Sequence, residues 1–291
     1  MSANQWVLAA RPATLWAGIA PVIVGSAIAV NDGVFRWDIL GAAMVVAVAV
    51  QVGVNFANDL ADARRGADTA DRIGPTRAVS AGLITPRAMT TGVLAAFGVA
   101  GLGGAYLTVE AGPVVPIIGV ASIVAALTYT GGPFPYGYHG LGEAFVFVFF
   151  GLVATVGTRF VFDESAPGSA WLGGVVMGLL ASAILVANNI RDIETDAIAG
   201  KRTLAVIIGR GHTRGVYTSL VISAFATAVA GVIARVFPPG VLLMLVAVPL
   251  AIAPIRTVRT RTDGPSLISA LKGTARLQVA AALLIGLGLI L

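Results

Sequence analysis

The amino-acid sequence predicts an all-α, polytopic membrane protein with nine transmembrane helices and an internal repeat. Of its 291 residues, 57% are hydrophobic and only 11% are charged, whereas about a quarter of the residues in a soluble domain carry charge. Apolar runs of membrane-spanning length recur along the chain. A polar motif that begins with asparagine is also written twice, and no linker separates the runs. We therefore expect a single membrane domain over residues 1–291.

The nine predicted spans follow from hydropathy, because each apolar run is close to the length of about 20 residues that a bilayer requires. In chain order they are 13–30, 38–60, 87–109, 113–130, 143–162, 171–190, 214–235, 240–256 and 274–291. The first run follows Arg11 and Pro12 and is longer than the apolar region of a signal peptide, so we expect an uncleaved helix. Glycine and proline inside the runs are compatible with membrane helices.

The basic residues predict the orientation. Most of the 19 lysines and arginines fall between alternate spans, so the positive-inside rule predicts a multi-pass protein of the cell membrane with a cytoplasmic N-terminus and an external C-terminus. The net charge of +5 is then a topology signal and does not indicate nucleic-acid binding. Arg159, near the external side, is expected to extend to the membrane interface. Most acids also fall on the cytoplasmic side, which the rule does not require.

Those acids concentrate in two motifs, each at the cytoplasmic end of a predicted span. The first acidic motif is "NFANDLADARRGAD" (residues 55–68) and the second is "NNIRDIETDAIAGKRT" (residues 188–203). On a helix, one face of the first, an arc of about 100°, carries Asn55, Asn58, Asp59 and Asp62. Residues four apart in the second are Asn188, Asp192 and Asp196. The near-duplication suggests two structural repeats with a site between them.

The chemistry of these side chains favours a divalent cation. Neighbouring carboxylates repel one another, and desolvation would raise their pKa values, so a cation relieves both effects. The oxygen ligands include no histidine, and the chain has no cysteine, which favours Mg²⁺, Mn²⁺ or Ca²⁺ over zinc. Because Mg²⁺ usually lies between carboxylates and phosphates, and because Lys201, Arg202 and Arg77 flank the motifs, we expect a diphosphate pocket at the membrane surface. The alternative is a solvated helix end, in which the acids pair with nearby arginines such as Arg64, Arg65 and Arg191.

The two motifs resemble the aspartate-rich motifs of the UbiA superfamily of intramembrane prenyltransferases, and the resemblance covers essentially the whole chain. Within that superfamily, "RPATLWAGIAPVIVG", "DRIGPTRAVSAGLITP", "YTGGPFPYGYHGLGE" and "AGKRTLAVIIGR" look like the MenA branch, which acts on 1,4-dihydroxy-2-naphthoate. Gly66 stands where the usual first motif has its third aspartate, and the next acid is Asp68. The hydroxybenzoate branch carries lysine and arginine where this chain has Pro133 and Phe134.

The resemblance implies a UbiA-type helical bundle and an Mg²⁺-dependent transfer of a polyprenyl group from its diphosphate to dihydroxynaphthoate. The carboxylate is lost, and the product is demethylmenaquinone. The implied metal ligands are Asn58, Asp59, Asp62, Asp68, Asn188, Asp192 and Asp196. The implied diphosphate ligands are Arg65, Arg77, Lys201 and Arg202. The implied catalytic set is Asp59, Asp62, Asp192, Asp196 and Lys201. The acceptor or carbocation pocket is implied to contain Tyr129, Tyr136, Tyr138 and Glu143.

Several alternatives stay open at this point. Asp68 is equally explained as a solvated loop acid, the tyrosines as interfacial aromatic residues and Glu143 as a first-turn acid of its helix. An alternative function is that of a UbiA-type prenyltransferase with a different aromatic acceptor, such as homogentisate, 4-hydroxybenzoate or a tetrapyrrole. A secondary transporter would instead place its charges near mid-membrane, and the D-G-x-x-A-R motif of the CDP-alcohol phosphotransferases is absent from the chain. The sequence leaves open the prenyl chain length, the oligomeric state and the residue that handles the acceptor's proton and carboxylate.

Overall fold

The computed structural model of the chain describes residues 3–66, 74 and 76–291, and within them it is helical with no strand. The helices are α1 (Ala3–Ala10), α2 (Pro12–Asn31), α3 (Trp37–Arg64), α4 (Pro86–Ala111), α5 (Val114–Thr130), α6 (Gly142–Phe160), α7 (Gly168–Arg191), α8 (Ile193–Ile198), α9 (Leu204–Ile233), α10 (Pro239–Thr260) and α11 (Gly264–Ile290). A π-helical segment, Phe147–Val153, lies inside α6, and α10 begins as a 3-10 helix over Pro239–Ala247. The 3-10 helix Tyr136–His139 joins α5 to α6.

Eight of the described helices are long and apolar enough to cross a membrane, and α5 is apolar but shorter, with 17 residues. At about 1.5 Å of rise per residue, α5 is some 25 Å long, slightly less than the hydrocarbon core of about 30 Å. The predicted all-α membrane fold is confirmed, and the difference between nine spans and eight comes from α5.

Two helices begin well before their predicted starts. The last span was expected from residue 274, but α11 begins at Gly264, because Lys272 interrupts the apolar run without interrupting the helix. The side chain of Asp263 caps it by accepting a 2.9 Å hydrogen bond from the Ser266 amide. The span predicted from residue 214 begins at Leu204, and Gly209, with φ of +75°, kinks α9 near its start. That positive φ is available to glycine without strain.

Close packing around α7 forms the largest apolar core. This core joins α7 to α2, α9, α10 and α11. Helix α6 also packs on α7, and a β-carbon at Gly151 would overlap the backbone of Gly174 and Gly178. Small residues allow such backbone approach between membrane helices. A second core joins α1, α3 and α4 to the loop that follows α3.

The two acidic motifs lie at one end of the bundle, hereafter the polar end. Helices α3 and α7 run in the same direction and carry the motifs at their C-terminal ends, and α4 and α9 pack beside them as antiparallel neighbours. This correspondence supports the predicted internal repeat. It also brings together side chains that are far apart in sequence.

At the opposite end, Arg159 differs from its prediction. It does not extend to the interface: its side chain is 3% exposed, and Nε donates a 2.8 Å hydrogen bond to Asp32. The guanidinium also donates to both carboxylate oxygens of Asp163, which holds the pKa of Asp163 below its usual range. The two carboxylates satisfy the charge inside the bundle, so extension to the interface is unnecessary. This ion cluster ties the end of α6 to the end of α2.

Candidate active site

A cavity of about 1370 Å³ extends from the polar end into the bundle. Its deep part is lined by apolar side chains, among them Phe149, Phe150 and Val161, and its mouth by polar ones. Five basic and three acidic side chains line the wall. The wall therefore carries a net positive charge, which suits an anionic ligand with an apolar tail.

Asp62 is a cavity-lining carboxylate that is only 1% exposed. Arg77 donates to one of its oxygens at 2.5 Å, and the hydroxyl of Tyr138 donates to the other at 2.9 Å. Nζ of Lys201 lies 3.5 Å from the Asp62 oxygen that accepts the hydrogen bond from Tyr138. One turn earlier on α3, Asn58 also lines the cavity, and its carbonyl oxygen accepts a 2.9 Å hydrogen bond from Thr130. The first motif therefore presents an amide and a carboxylate to the cavity.

Asp59 does not line the cavity. Its two carboxylate oxygens accept hydrogen bonds from the backbone amides of Ala78 and Val79, at 2.8 and 3.0 Å, and the residue is 1% exposed. Ala78 follows Arg77 directly, so Asp59 fixes the loop from which Arg77 reaches Asp62. The prediction that Asp59 is a metal ligand stays untested, but its geometry is that of a positioning residue.

The second motif presents the corresponding pair, Asn188 and Asp192, together with Asp196. Arg191 donates to both oxygens of Asp192, with Nε at 2.7 Å, and to the carbonyl oxygen of Asn188 at 2.9 Å. Helix α7 ends at this point, and the Asp196 amide donates to the Asp192 carbonyl at 2.7 Å. Asp196 is thereby held on α8 at the cavity wall. Asp192 and Asp62 each face an arginine, as two repeats of one arrangement would require.

The two motifs also correspond at the residue that follows Asn58 in the first and Asn188 in the second. Asp59 follows Asn58 and holds a loop, and Asn189 follows Asn188 and holds the side chain of Glu143 through a 2.8 Å hydrogen bond. Glu143 is 9% exposed and does not line the cavity. Its other oxygen is buried and makes no hydrogen bond within the described part of the chain. The structure therefore does not bring Glu143 to the acceptor pocket in which it was predicted.

The predicted diphosphate ligands divide into two groups. Arg77 and Lys201 line the cavity, and Nζ of Lys201 lies 4.8 Å from the ring centre of Tyr138. Arg65 and Arg202 do not line it: Arg65 donates to the Gly132 carbonyl at 2.5 Å, and the Arg202 amide donates to the carbonyl of Tyr138. Arg65 and Arg202 therefore hold the segment between α5 and α6 in place.

The three predicted tyrosines all line the cavity. Tyr136 stacks on Phe145 with 3.8 Å between ring centres, and Tyr129 meets Tyr136 edge-on at 5.4 Å. Burial, and then the charge of Asp62, raises the pKa of Tyr138. Its hydroxyl therefore keeps its proton and acts as a donor. The aromatic faces form a wall between the polar mouth and the apolar interior.

The predicted metal ligands that line the cavity fit a hard divalent cation, because they offer only carboxylate and amide oxygens. These side chains are Asn58, Asp62, Asn188, Asp192 and Asp196. Asp62 and Asp192 each pair with an arginine, and the part of the chain that the structure describes contains no metal-type cluster of three histidine, cysteine or acidic side chains. Asp68, the other predicted ligand, lies outside the described residues.

The UbiA prenyltransferase family model matches residues 18–289, nearly the whole chain. The chain belongs to the UbiA prenyltransferase family. It is 42% identical to a 1,4-dihydroxy-2-naphthoate octaprenyltransferase of Mycobacterium tuberculosis, over 93% of this chain and 91% of the relative. The enzyme of the same name from Escherichia coli is 33% identical, over 99% and 96%. A digeranylgeranylglyceryl phosphate synthase of Halobacterium salinarum is 31% identical, over 95% of each chain.

Solved structures share this UbiA fold. A UbiA homolog from Archaeoglobus fulgidus, bound to GPP and Mg²⁺, superposes with a TM-score of 0.64 at 12% identity, covering 97% of this chain and 99% of the other. The apo structure of a homolog from Aeropyrum pernix gives a TM-score of 0.66 at 17% identity, covering 100% and 98%. The predicted UbiA-type bundle is confirmed.

Three basic residues of this UbiA-family cavity were missed as site residues by the sequence reasoning. One is Arg191, within the second motif. Arg11 and Lys272 line the wall although both lie outside the acidic motifs. No sequence signal separates Lys272 from the other bases that set the topology. Arg11 stands before a proline and adopts the left-handed conformation, with φ of 51°, which a sequence does not reveal.

Proposed function

We propose that the protein transfers a polyprenyl group from polyprenyl diphosphate to 1,4-dihydroxy-2-naphthoate, with loss of the carboxylate, in an Mg²⁺-dependent reaction that gives the demethylmenaquinone skeleton. The observation that carries the proposal is the cavity, in which two carboxylate motifs meet basic side chains, among them Arg77 and Lys201, at the polar end of an apolar interior. Identity to the dihydroxynaphthoate octaprenyltransferases supports the choice of acceptor.

The chain's own residues explain how the donor is bound. The diphosphate lies at the polar end, near Arg77 and Lys201, and the polyprenyl tail follows the apolar lining past Phe149 and Phe150. As the allylic C–O bond breaks, negative charge develops on the diphosphate, and cations already in place stabilise it without reorganisation. Asp59 contributes indirectly, because it fixes the loop that carries Arg77.

Asn58, Asp62, Asn188, Asp192 and Asp196 would hold the Mg²⁺. The metal, when bound, neutralises diphosphate charge and so makes the diphosphate a better leaving group. Arg77 and Arg191 compensate the charges of Asp62 and Asp192. Both arginines line the cavity, and their planar donor groups suit a phosphate oxygen as well as a carboxylate.

The aromatic wall protects the reacting carbon. Tyr129, Tyr136 and Phe145 form contacting rings along the cavity, and their faces stabilise positive charge on an allylic cation while they exclude water. The electron-rich acceptor ring then attacks that carbon and loses its carboxylate as carbon dioxide. For the protein as a whole, we propose a cell-membrane location with the polar end in the cytoplasm, where both anionic substrates are accessible.

A different acceptor is the principal alternative, because a relative that makes digeranylgeranylglyceryl phosphate is also 31% identical. The test supplies purified protein with Mg²⁺, one polyprenyl diphosphate and, in separate reactions, dihydroxynaphthoate, homogentisate, 4-hydroxybenzoate or a glycerophosphate lipid. We expect a product whose mass equals dihydroxynaphthoate plus the prenyl group minus carbon dioxide. Prenylation of another acceptor with no such product would refute the assignment.

The metal requirement is tested in the same assay. Exhaustive chelation with EDTA should abolish turnover and excess Mg²⁺ should restore it, because an uncompensated diphosphate is a poor leaving group. The matched control is Asp263→Asn, which changes an exposed acid outside both motifs and should keep full turnover. Undiminished activity after chelation would remove Mg²⁺ from the mechanism.

A further inference from the structure

Lys272 lies on the wall of the cavity, on a part of α11 that neither acidic motif touches. The cavity-lining residues of this helix are Ile268, Leu271 and Lys272. Their spacing of three and four places them on one helical face, so Lys272 belongs to the stripe that faces the cavity. The side chain is also exposed, and it lies near the start of α11.

The charge of Lys272 is not committed to a carboxylate of the described residues. Arg77 and Lys201 contact Asp62, and Arg191 contacts Asp192. No ion pair or side-chain hydrogen bond is formed by Lys272 with any residue that the structure describes. An ammonium at the edge of a substrate cavity, with no ion-pair partner among the described residues, suits an anionic group of a ligand.

A second base lies at the same level of the bundle. Helices α2 and α11 run in the same direction, and Gly286 approaches Ala27 and Ile23, since a β-carbon there would lie 3.5 and 3.6 Å from their side chains. Fourteen residues earlier, about 21 Å along the helix axis, Lys272 comes level with Arg11. Arg11 lines the same cavity, so α2 and α11 together present two bases.

The bend that places Arg11 is held rigidly. Arg11 separates α1 from α2 and adopts a left-handed conformation. The side-chain amide of Asn55, on α3, donates at 2.8 Å to the carbonyl of Ala10 and at 2.9 Å to the hydroxyl of Thr14. These hydrogen bonds fix the chain on both sides of Arg11, so its position does not depend on a ligand.

We infer that Lys272, with Arg11 at the same level of the cavity wall, binds the carboxylate of the aromatic acceptor. The inference rests on the proposed function, in which two anions occupy one cavity. The diphosphate is held from the side of Asp62 by Arg77 and Lys201, and the acceptor ring attacks from the side opposite the leaving group. Its carboxylate therefore needs cations of its own. When that carboxylate leaves as neutral carbon dioxide, the contact is lost, which favours release of the prenylated product.

The variant that tests this inference is Lys272→Gln, and its matched control is Arg276→Gln. Arg276 is exposed one turn further along α11, does not line the cavity, and loses the same charge. At saturating donor, Lys272→Gln should lower kcat/KM for dihydroxynaphthoate about 10- to 100-fold, as expected for a lost charge-assisted contact. The KM for polyprenyl diphosphate should not change. Lys272→Arg should retain most of the activity, and Arg276→Gln should behave as the wild type.

A second measurement tests whether Lys272 acts on the carboxylate of the acceptor or on its ring. Naphthalene-1,4-diol has the same ring without the carboxylate, and its inhibition constant is measurable whether or not it is prenylated. We expect the same constant for the wild type and Lys272→Gln. A raised donor KM would assign Lys272 to the diphosphate, and an equal loss of affinity for the diol would reduce it to a structural role. Unchanged acceptor kinetics would also overturn the inference. These outcomes leave the proposed function intact, whereas a wild-type protein that does not prenylate dihydroxynaphthoate would overturn both.

Discussion

The variant Asp59→Asn distinguishes between two roles for Asp59, that of a metal ligand and that of a positioning residue. Both carboxylate oxygens of Asp59 accept backbone hydrogen bonds, from Ala78 at 2.8 Å and Val79 at 3.0 Å. An asparagine has one carbonyl oxygen and one NH₂ group, so it can accept only one of these two bonds. Its NH₂ group would face the other N–H, donor against donor. The loop would then be released on one side, and Arg77 would lose its fixed starting point.

The magnitude follows from burial. Asp59 is 1% exposed, and a buried N–H that loses its acceptor costs about 1 to 3 kcal/mol, with the weaker neutral acceptor adding to this. We expect Asp59→Asn to lower the free energy of unfolding by about 2 to 3 kcal/mol. At roughly 2 to 4 °C per kcal/mol, Tm falls by about 4 to 12 °C. Turnover should fall as well, through a higher KM for polyprenyl diphosphate, because Arg77 is displaced.

The assay combines thermal unfolding in detergent with a titration of turnover against Mg²⁺. A positioning role predicts a lower Tm and an unchanged Mg²⁺ concentration for half-maximal activity. Asp263→Asn is the control, because Asp263 caps α11 at an exposed position and asparagine is an equally good cap. If Asp59→Asn keeps the wild-type Tm but needs much more Mg²⁺, Asp59 is a metal ligand and the reasoning from its two backbone contacts is wrong.

Two further predictions concern the paired motifs and the topology. Asp62→Asn and Asp192→Asn should each reduce turnover by at least about 10²-fold, the usual effect of losing one transition-state charge contact, and the double variant should lose little more than the worse single variant, since the two act as a unit. Near wild-type turnover in either single variant, with the fold intact, would exclude the motif from the active site. Because the chain has no cysteine, Ala197→Cys and Ser165→Cys each create one thiol, and an impermeant reagent should label the first from the cytoplasm and the second from outside. Labelling of both from one side would contradict the span count between them.

The sequence predicts the helices well because hydropathy is a local property. The polar end of α3 is an example: its apolar run ends near residue 60, but the helix continues to Arg64. The side chains of the last turn face the cavity and the loop, so polarity there does not end the helix. In α11, likewise, the charge of Lys272 lowers the hydropathy of the first turns, although these turns are helical.

The site residues were predictable only to within a helical face. Asn58 and Asp59 lie at opposite edges of the predicted arc of about 100°, with Asn55 and Asp62 between them. The cavity covers one edge of that arc and the loop covers the other, so Asn58 lines the cavity and Asp59 does not. Which edge faces the ligand depends on where the loop of Ala78 packs, and this is a tertiary contact that periodicity does not encode.

Contacts between distant segments account for the features of the site that the sequence did not predict. Glu143 pairs with Asn189, 46 residues away, so the acid predicted to face the acceptor instead joins two helices. Lys272 comes level with Arg11 only because α2 and α11 pack in parallel. The repeated motif was nevertheless visible in the sequence, because a pair of equivalent sites requires the same side chains at the same spacing in each half.

The ion cluster of Arg159 bears on the electrical tightness of the membrane. The cavity reaches as far as Thr158 and Val161, next to the end of α6 where Arg159 binds Asp32 and Asp163. A water-filled path open at both ends would let protons run down a membrane potential, which acts on each elementary charge with about 2.3 kcal/mol per 100 mV. Because the Arg159 side chain is only 3% exposed, we expect the cluster to close the far end, so that a membrane can hold a large substrate chamber without losing its potential through it.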